Sequence, residues 1–271
     1  MIHNTSTTLP IGVFDSGMGG LTVLKSLAAQ LPNESFIYLG DTARLPYGTK
    51  SKEIVVEYAR ENVNKLLKLN VKMIVIACNT ATVASLEYLQ KMHINIPIIG
   101  VVEPGAITAA QHTSKGNIAI IATEGTVLSK CYQNILNNIN PNFKISTKAC
   151  NLLVSLAEEG HIDDEIAKLV LQNYVYPLLQ TNDEIDVLLL GCTHFPVFSS
   201  LIRSHIASTI KVVDSAECTA RFVTDILKNK QLFNHHVTGQ NIQYYVTDSP
   251  ERFSRVGKIF LEKDIRDIKL L

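Results

Sequence analysis

The chain carries no net charge, because 25 lysines and arginines balance 25 aspartates and glutamates over 271 residues. That balance removes the electrostatic footprint of a nucleic-acid or anionic-membrane binder. No run reaches the ~18 apolar residues that a transmembrane helix needs. The N-terminus, Met1-Ile-His-Asn-Thr-Ser-Thr-Thr-Leu-Pro10, has neither a basic region nor an apolar one, so a short frayed tail is expected rather than a secretory signal. The five cysteines, Cys78, Cys131, Cys150, Cys192 and Cys218, include no C-x-x-C pair. An odd count in a chain of this size argues against a disulfide framework and for a reducing cytoplasm. Low-complexity segments and tandem repeats of roughly 20–50 residues are also missing. What remains is a chain that is 46% apolar and long enough for one large domain or two smaller ones.

The order of elements reads as alternating strands and helices, which argues for parallel sheets. Ile11-Gly-Val-Phe14 is a strand that ends in Asp15-Ser16-Gly17-Met18-Gly19-Gly20, with a helix from Leu21 to Leu31. Ser35 to Leu39 is a second strand, followed by the loop Gly40 to Gly48 and a helix from Lys52 to Leu69. Met73-Ile-Val-Ile-Ala-Cys78 is a third strand, with a helix around Ala81–Met92 and a strand Ile98–Val102. Glu103-Pro104-Gly105 breaks the pattern. The alternation then restarts with a strand 117–122, a helix 127–137, a strand 143–147, a helical turn or two at 151–159 and a helix 163–179. Val187-Leu-Leu-Leu-Gly-Cys-Thr-His-Phe-Pro196 is the next strand, then a strand 210–213 and a helix 217–228. A strand 243–247 and a helix 250–262 close the chain. The expected architecture is two similar parallel-sheet α/β lobes with the active site in the cleft between them. Residues 1–103 with 214–271 form one lobe, carrying Asp15 and Cys78, and residues 104–213 form the other, carrying Cys192 and His194.

Two stretches have the same shape. Each is an apolar strand that delivers a thiol and then small polar groups at its C-terminal end: Cys78-Asn79-Thr80 and Cys192-Thr193-His194. In open parallel sheets ligands sit beyond the carboxyl ends of strands. Asp15-Ser16, Tyr47-Gly48 and Thr123 also fall at or just after such ends. The side chains suit a small polar ligand bearing a carboxylate. Each residue has a plainer reading. A cysteine in an apolar run is usually a small core hydrophobe. Asp15 can be a helix N-cap, His194 a buried hydrogen-bonding histidine, Asp41 and Arg44 a loop pair, and Glu158-Glu159 a solvated helix end. Two cysteines at matching strand ends weigh against the core reading. A zinc knuckle lacks its spacing, and a thioredoxin-type site lacks C-x-x-C. Gly17-x-Gly19 lacks the third glycine of a dinucleotide fingerprint, since Thr22 stands there, and no Lys-Ser/Thr completes a P-loop.

Five segments together are specific. They are Gly12-Val-Phe-Asp-Ser-Gly-Met-Gly-Gly-Leu-Thr-Val-Leu24, Tyr38-Leu-Gly-Asp-Thr-Ala-Arg-Leu-Pro-Tyr-Gly48, Ala77-Cys-Asn-Thr-Ala81, Gly100-Val-Val-Glu-Pro-Gly105 and Leu190-Gly-Cys-Thr-His-Phe-Pro196. In this order they resemble the glutamate racemases of the aspartate/glutamate racemase superfamily. The resemblance implies a cofactor-independent isomerase that interconverts L- and D-glutamate and supplies D-glutamate for peptidoglycan. It implies no metal, glutamate as the small-molecule partner, no nucleic-acid or membrane partner, a cytoplasmic setting, and a homodimer as an assembly to consider. By the same analogy Cys78 deprotonates D-glutamate with Asp15 assisting, and Cys192 deprotonates L-glutamate with His194 assisting. Asp15, Ser16, Tyr47, Gly48, Asn79, Thr80, Thr193 and His194 are the implied substrate contacts. The family's auxiliary acid falls at Glu158 rather than Glu159, in a segment where Asn151 and Ser155 replace two prolines. The nine residues before Pro10 are too few for the N-terminal extension of some members. Related two-cysteine enzymes acting on aspartate, hydantoins or malonates, and a non-catalytic binding protein on the same fold, are the alternatives.

Overall fold

The computed structural model describes residues 7–180, 184–236 and 239–271. Most of the expected frayed tail lies outside the described residues. The first half runs β1 (Ile11–Asp15), α1 (Leu21–Gln30), β2 (Phe36–Gly40), α2 (Lys52–Lys68), β3 (Met73–Ile76), α3 (Asn79–Met92), β4 (Ile98–Gly100) and α4 (Val102–His112). It continues with β5 (Asn117–Ala122), α5 (Glu124–Leu128), α6 (Cys131–Ile139), β6 (Lys144–Ala149), α7 (Asn151–Glu159), α8 (Glu165–Gln180) and β7 (Val187–Gly191). After α9 (Ser199–Arg203), β8 (Lys211–Asp214) and α10 (Ser215–Asn229) come β9 (Ile242–Val246), α11 (Pro250–Leu261) and β10 (Ile268–Leu270).

The strands form two wholly parallel sheets. One has the order β10-β9-β2-β1-β3-β4, and the other β6-β5-β7-β8. The inner strands β3 and β7 are apolar runs buried along their length, as strands covered on both faces are, whereas the edge strand β6 mixes polar and apolar residues and is partly exposed. In β7 every residue is buried, and Leu188, Leu189 and Leu190 are fully so. Each such leucine contributes about 1.5–3 kcal/mol relative to exposure. The two sheets repeat one plan. In β2-β1-β3-β4 and in β6-β5-β7-β8, the second strand is added on one side of the first and the third on the other. The chain then returns to the first sheet, where β9 pairs with β2 and β10 with β9.

Several boundaries differ from expectation for local reasons. The Glu103-Pro104-Gly105 break is the first turn of α4, where a proline needs no hydrogen-bonded N–H. The helix expected over 127–137 is two helices, split where Lys130 takes a left-handed backbone, φ 53°. α3 begins at Asn79 rather than Ala81, because Cys78 itself caps it. α9 and the short edge strand β10 carried too little periodicity to be expected. Among the described residues no helix is long and apolar enough to cross a membrane.

One buried ion pair ties the amino ends of these strands to the segment after α10. Lys72 Nζ lies 2.5 Å from Glu34 Oε2, with side chains 0% and 1% exposed. Lys72 also donates to the carbonyl of Leu232 (2.8 Å), and Glu34 Oε1 accepts from the Asn234 N–H (2.8 Å). Removing one partner leaves the other charge buried and uncompensated. Lys72→Met is therefore expected to lower unfolding free energy by about 3–5 kcal/mol in urea titration. A loss under about 1 kcal/mol, the usual worth of a surface pair, would contradict this account.

Candidate active site

In each sheet the strand order reverses between two strands, β1/β3 in the first and β5/β7 in the second. At such a point the connections leave in opposite directions and open a crevice at the carboxyl ends. Just beyond the ends of these four strands lie Ser16, Cys78, Thr123 and Cys192, and all four line one cavity. Tyr47, Gly48, Asn79, Thr80, Glu158, Thr193 and His194 line it too. The cavity volume, about 90 Å³, suits an amino-acid-sized molecule and not a dinucleotide. Of the sequence-derived site residues, Asp15 alone stands behind the wall, fully buried.

Cys78 is the N-cap of α3, and its Sγ accepts from the Ala81 N–H at 3.4 Å. It also lies 3.6 Å from Ser16 Oγ. Burial pushes the thiol up to about 12, the Asp15 charge adds to this, and the Ala81 and Ser16 hydrogen bonds oppose it. The carboxyl of Asp15 is itself raised by burial, against the pull of His194 and of backbone N–H groups. Asp15 does not cap α1. Its Oδ2 accepts from the Gly17 N–H (3.0 Å) and the Tyr38 hydroxyl (3.4 Å).

Around Cys192 the electrostatics differ. Its Sγ is 3.9 Å from His194 Nδ1, and His194 Nε2 is 3.1 Å from Glu158 Oε1. Burial alone would lower the imidazole's pKa, but its hydrogen bonds to Cys192 and Glu158 outweigh burial and raise it to about 10. Arg252 Nη2 lies near both acids, 3.4 Å from Glu158 Oε2 and 3.3 Å from Glu159 Oε1, but only Glu158 is buried, whereas the Glu159 side chain is 69% exposed. His194 fits because Gly19 lacks a side chain. A Cβ there would overlap the imidazole ring.

The two sheet regions meet across the cavity through named hydrogen bonds. Thr80 Oγ1 and Thr123 Oγ1 are 2.9 Å apart. Thr22 donates to the carbonyl of Thr193 at 3.0 Å, so the residue that breaks the dinucleotide fingerprint joins α1 to the end of β7. The loop that presents Tyr47 and Gly48 is organised by buried Asp41. This carboxylate accepts from the Tyr47 hydroxyl, from Arg44 Nε (2.8 Å), from Asn62 Nδ2 (3.1 Å) and from Thr247 Oγ1 (2.9 Å). The expected Asp41–Arg44 loop pair is therefore present within a larger network. Pro46, Thr49, Asn151, Val154 and Ser155 also reach the cavity without having been singled out as its lining. The two positions that depart from the family's prolines, Asn151 and Ser155, are among them. Their proximity to Glu158 on the helix that ends at Gly160 was the available signal.

His194 holds its proton more tightly folded, at about 10, than at its ordinary 6.5. The stability it contributes is thus complete below pH 6.5 and lost as pH rises through about 10. The melting-temperature advantage of the unsubstituted chain over His194→Asn is expected to be constant below that window and to shrink across it. An advantage independent of pH over the whole window would contradict the pairing.

Comparison with known proteins follows the same lines. The family model for Asp/Glu/hydantoin racemases matches residues 11–223. A glutamate racemase of Geobacter metallireducens is 46% identical over 258 residues, covering 95% of this chain and 94% of that protein. A crystal structure of a glutamate racemase from Bacillus anthracis superposes with a TM-score of 0.93 at 35% identity, covering 98% of each chain. The crystal structure of the Francisella tularensis glutamate racemase in complex with D-glutamate gives 0.90 at 34% identity, again over 98% of each chain.

Proposed function

The chain belongs to the Asp/Glu/hydantoin racemase family, and from that premise we propose that it is a glutamate racemase using two cysteines as its bases. The observation that carries this reading is the presence of two thiols, each after the third strand of a like-ordered sheet, in one small cavity. On this reading residues 1–103 with 214–271, and residues 104–213, act as two lobes that each deliver one base.

Racemisation at Cα needs a proton removed from one face and another returned to the opposite face. Cys78 takes the proton from D-glutamate while Cys192 donates, and the roles exchange for L-glutamate. Each sulfur must therefore exist as thiolate in one direction and thiol in the other. Asp15 assists at Cys78, and Glu158–His194 at Cys192. The imidazolium places positive charge 3.9 Å from one sulfur. At the other, burial and Asp15 work against the thiolate, and the ammonium of an incoming amino acid supplies charge of the opposite sign where it is needed. Ser16, Tyr47, Gly48, Asn79, Thr80 and Thr193 hold the ammonium and carboxylates, so that part of the barrier is met by positioning and by fixed donors in a dry site. The product fits a cytoplasmic supply of D-glutamate for peptidoglycan.

Enantiomers have equal free energy, so kcat/KM must be the same in both directions for any variant. Loss of either base then stops both reactions, since each enantiomer needs one sulfur as base and the other as acid. Cys78→Ala and Cys192→Ala are each expected to cut racemisation at least about a thousandfold in both directions, the loss typical when one essential catalytic group is deleted. Chiral chromatography of L- and D-glutamate incubated separately measures it. Near-full activity of either variant would overturn the two-base assignment, and racemisation of aspartate but not glutamate would overturn the substrate.

A further inference from the structure

Tyr132 belongs to α6, in the second sheet region, and was not among the residues that the sequence singles out. It is buried, and its hydroxyl is 2.7 Å from Asn79 Nδ2, in the first turn of α3 on the other side of the cavity. Asn79 is buried as well and lines the cavity directly after Cys78. The opposite end of its amide, Oδ1, has no hydrogen-bond partner among the described residues. A buried amide oxygen without a partner is uncommon. Beside a ligand cavity, it is the end of the side chain left for a donor on the ligand. The Tyr132 ring is packed with little slack. A Cβ on Gly191, the residue before Cys192, would stand 3.0 Å from Tyr132 Cε2.

We infer that Tyr132 is a positioning residue for substrate binding: its hydroxyl fixes the Asn79 amide from across the cavity, leaving Oδ1 to accept from the ammonium of the bound amino acid. The inference rests on the racemase reading and deepens it. An asparagine side chain has two rotatable bonds, and among the described residues the Tyr132 hydroxyl is the one hydrogen-bond partner of its amide. The tyrosine ring, held against the end of β7, is the rigid body that does so. Because Asn79 adjoins Cys78 and Tyr132 adjoins the strand that carries Cys192, the same hydrogen bond ties the substrate contact to both bases. Tyr132 touches no reacting atom, so its effect falls on the grip for substrate and not on the proton transfers.

Tyr132→Phe removes one oxygen and keeps the ring against Gly191. With purified enzyme and glutamate alone, this variant is expected to raise KM about tenfold in each direction, the worth of one such hydrogen bond. kcat should stay within about threefold. Asn79→Ala is expected to raise KM at least as much, and Tyr132→Phe added to Asn79→Ala to raise it no further. A purely structural role would lower the melting temperature and the active fraction but leave KM alone. An unchanged KM in Tyr132→Phe would overturn the inference, as would a full tenfold effect that persists in the Asn79→Ala background. An unfolded Tyr132→Phe chain would overturn it too, since the hydroxyl would then serve the fold and not Asn79. The unsubstituted chain is assayed alongside. Its failure to racemise glutamate would remove the functional reading itself and the inference with it, and is distinguished from the other outcomes by that control.

Discussion

A parallel sheet that adds its second strand on one side of the first and its third on the other must open a crevice at the carboxyl ends of the first and third. This chain meets that constraint twice, at β1/β3 and at β5/β7, and turns the two crevices toward one another. Everything at the site depends on the result. These four strands are buried along their whole length, so the polar groups of the site gather at their carboxyl ends, at Asp15, Cys78, Thr123 and Cys192. Two such ends in each sheet give two faces to one cavity, the geometry that proton removal on one side and return on the other requires.

The faces are alike in topology and unlike in charge. Cys192 has a histidine whose proton is held by Glu158 behind it. Cys78 has a helix N-terminus and a hydroxyl in front and a buried carboxyl behind. On the racemase reading, the first arrangement brings its cation with the protein, and the second receives it from the amino acid. Gly19 and Thr22 serve this indirectly, one by leaving room for the imidazole and the other by holding the Thr193 carbonyl.

Much of this was legible in the sequence. Apolar runs of strand length, ending in cysteine and followed by small polar residues, mark buried parallel strands with a site beyond them. Most strands and long helices stand close to where their patterns put them. The helix α4 was hidden because Pro104 and Gly105 read as a break, although a first helical turn tolerates both. The split between α5 and α6 depends on one left-handed residue, Lys130, whose side chain gives no warning of it. At the site, residues adjacent to the cysteines were readable because short-range sequence order places them. Tyr132 acts from an element distant in the chain, through a ring across the cavity, and Asp41, readable only as the partner of Arg44, also gathers Asn62 and Thr247 from farther along the chain. No local pattern encodes such contacts.

The central claim is that two different groups handle the proton on the two faces of Cα. It is tested most directly by incubating the purified chain with L-glutamate in D₂O, without added cofactor, and analysing both enantiomers early in the reaction. The account predicts that D-glutamate carries deuterium at Cα from the first turnovers, while the remaining L-glutamate keeps its hydrogen. D-glutamate that retains the substrate's own hydrogen would mean a single base that serves both faces, and would contradict the account.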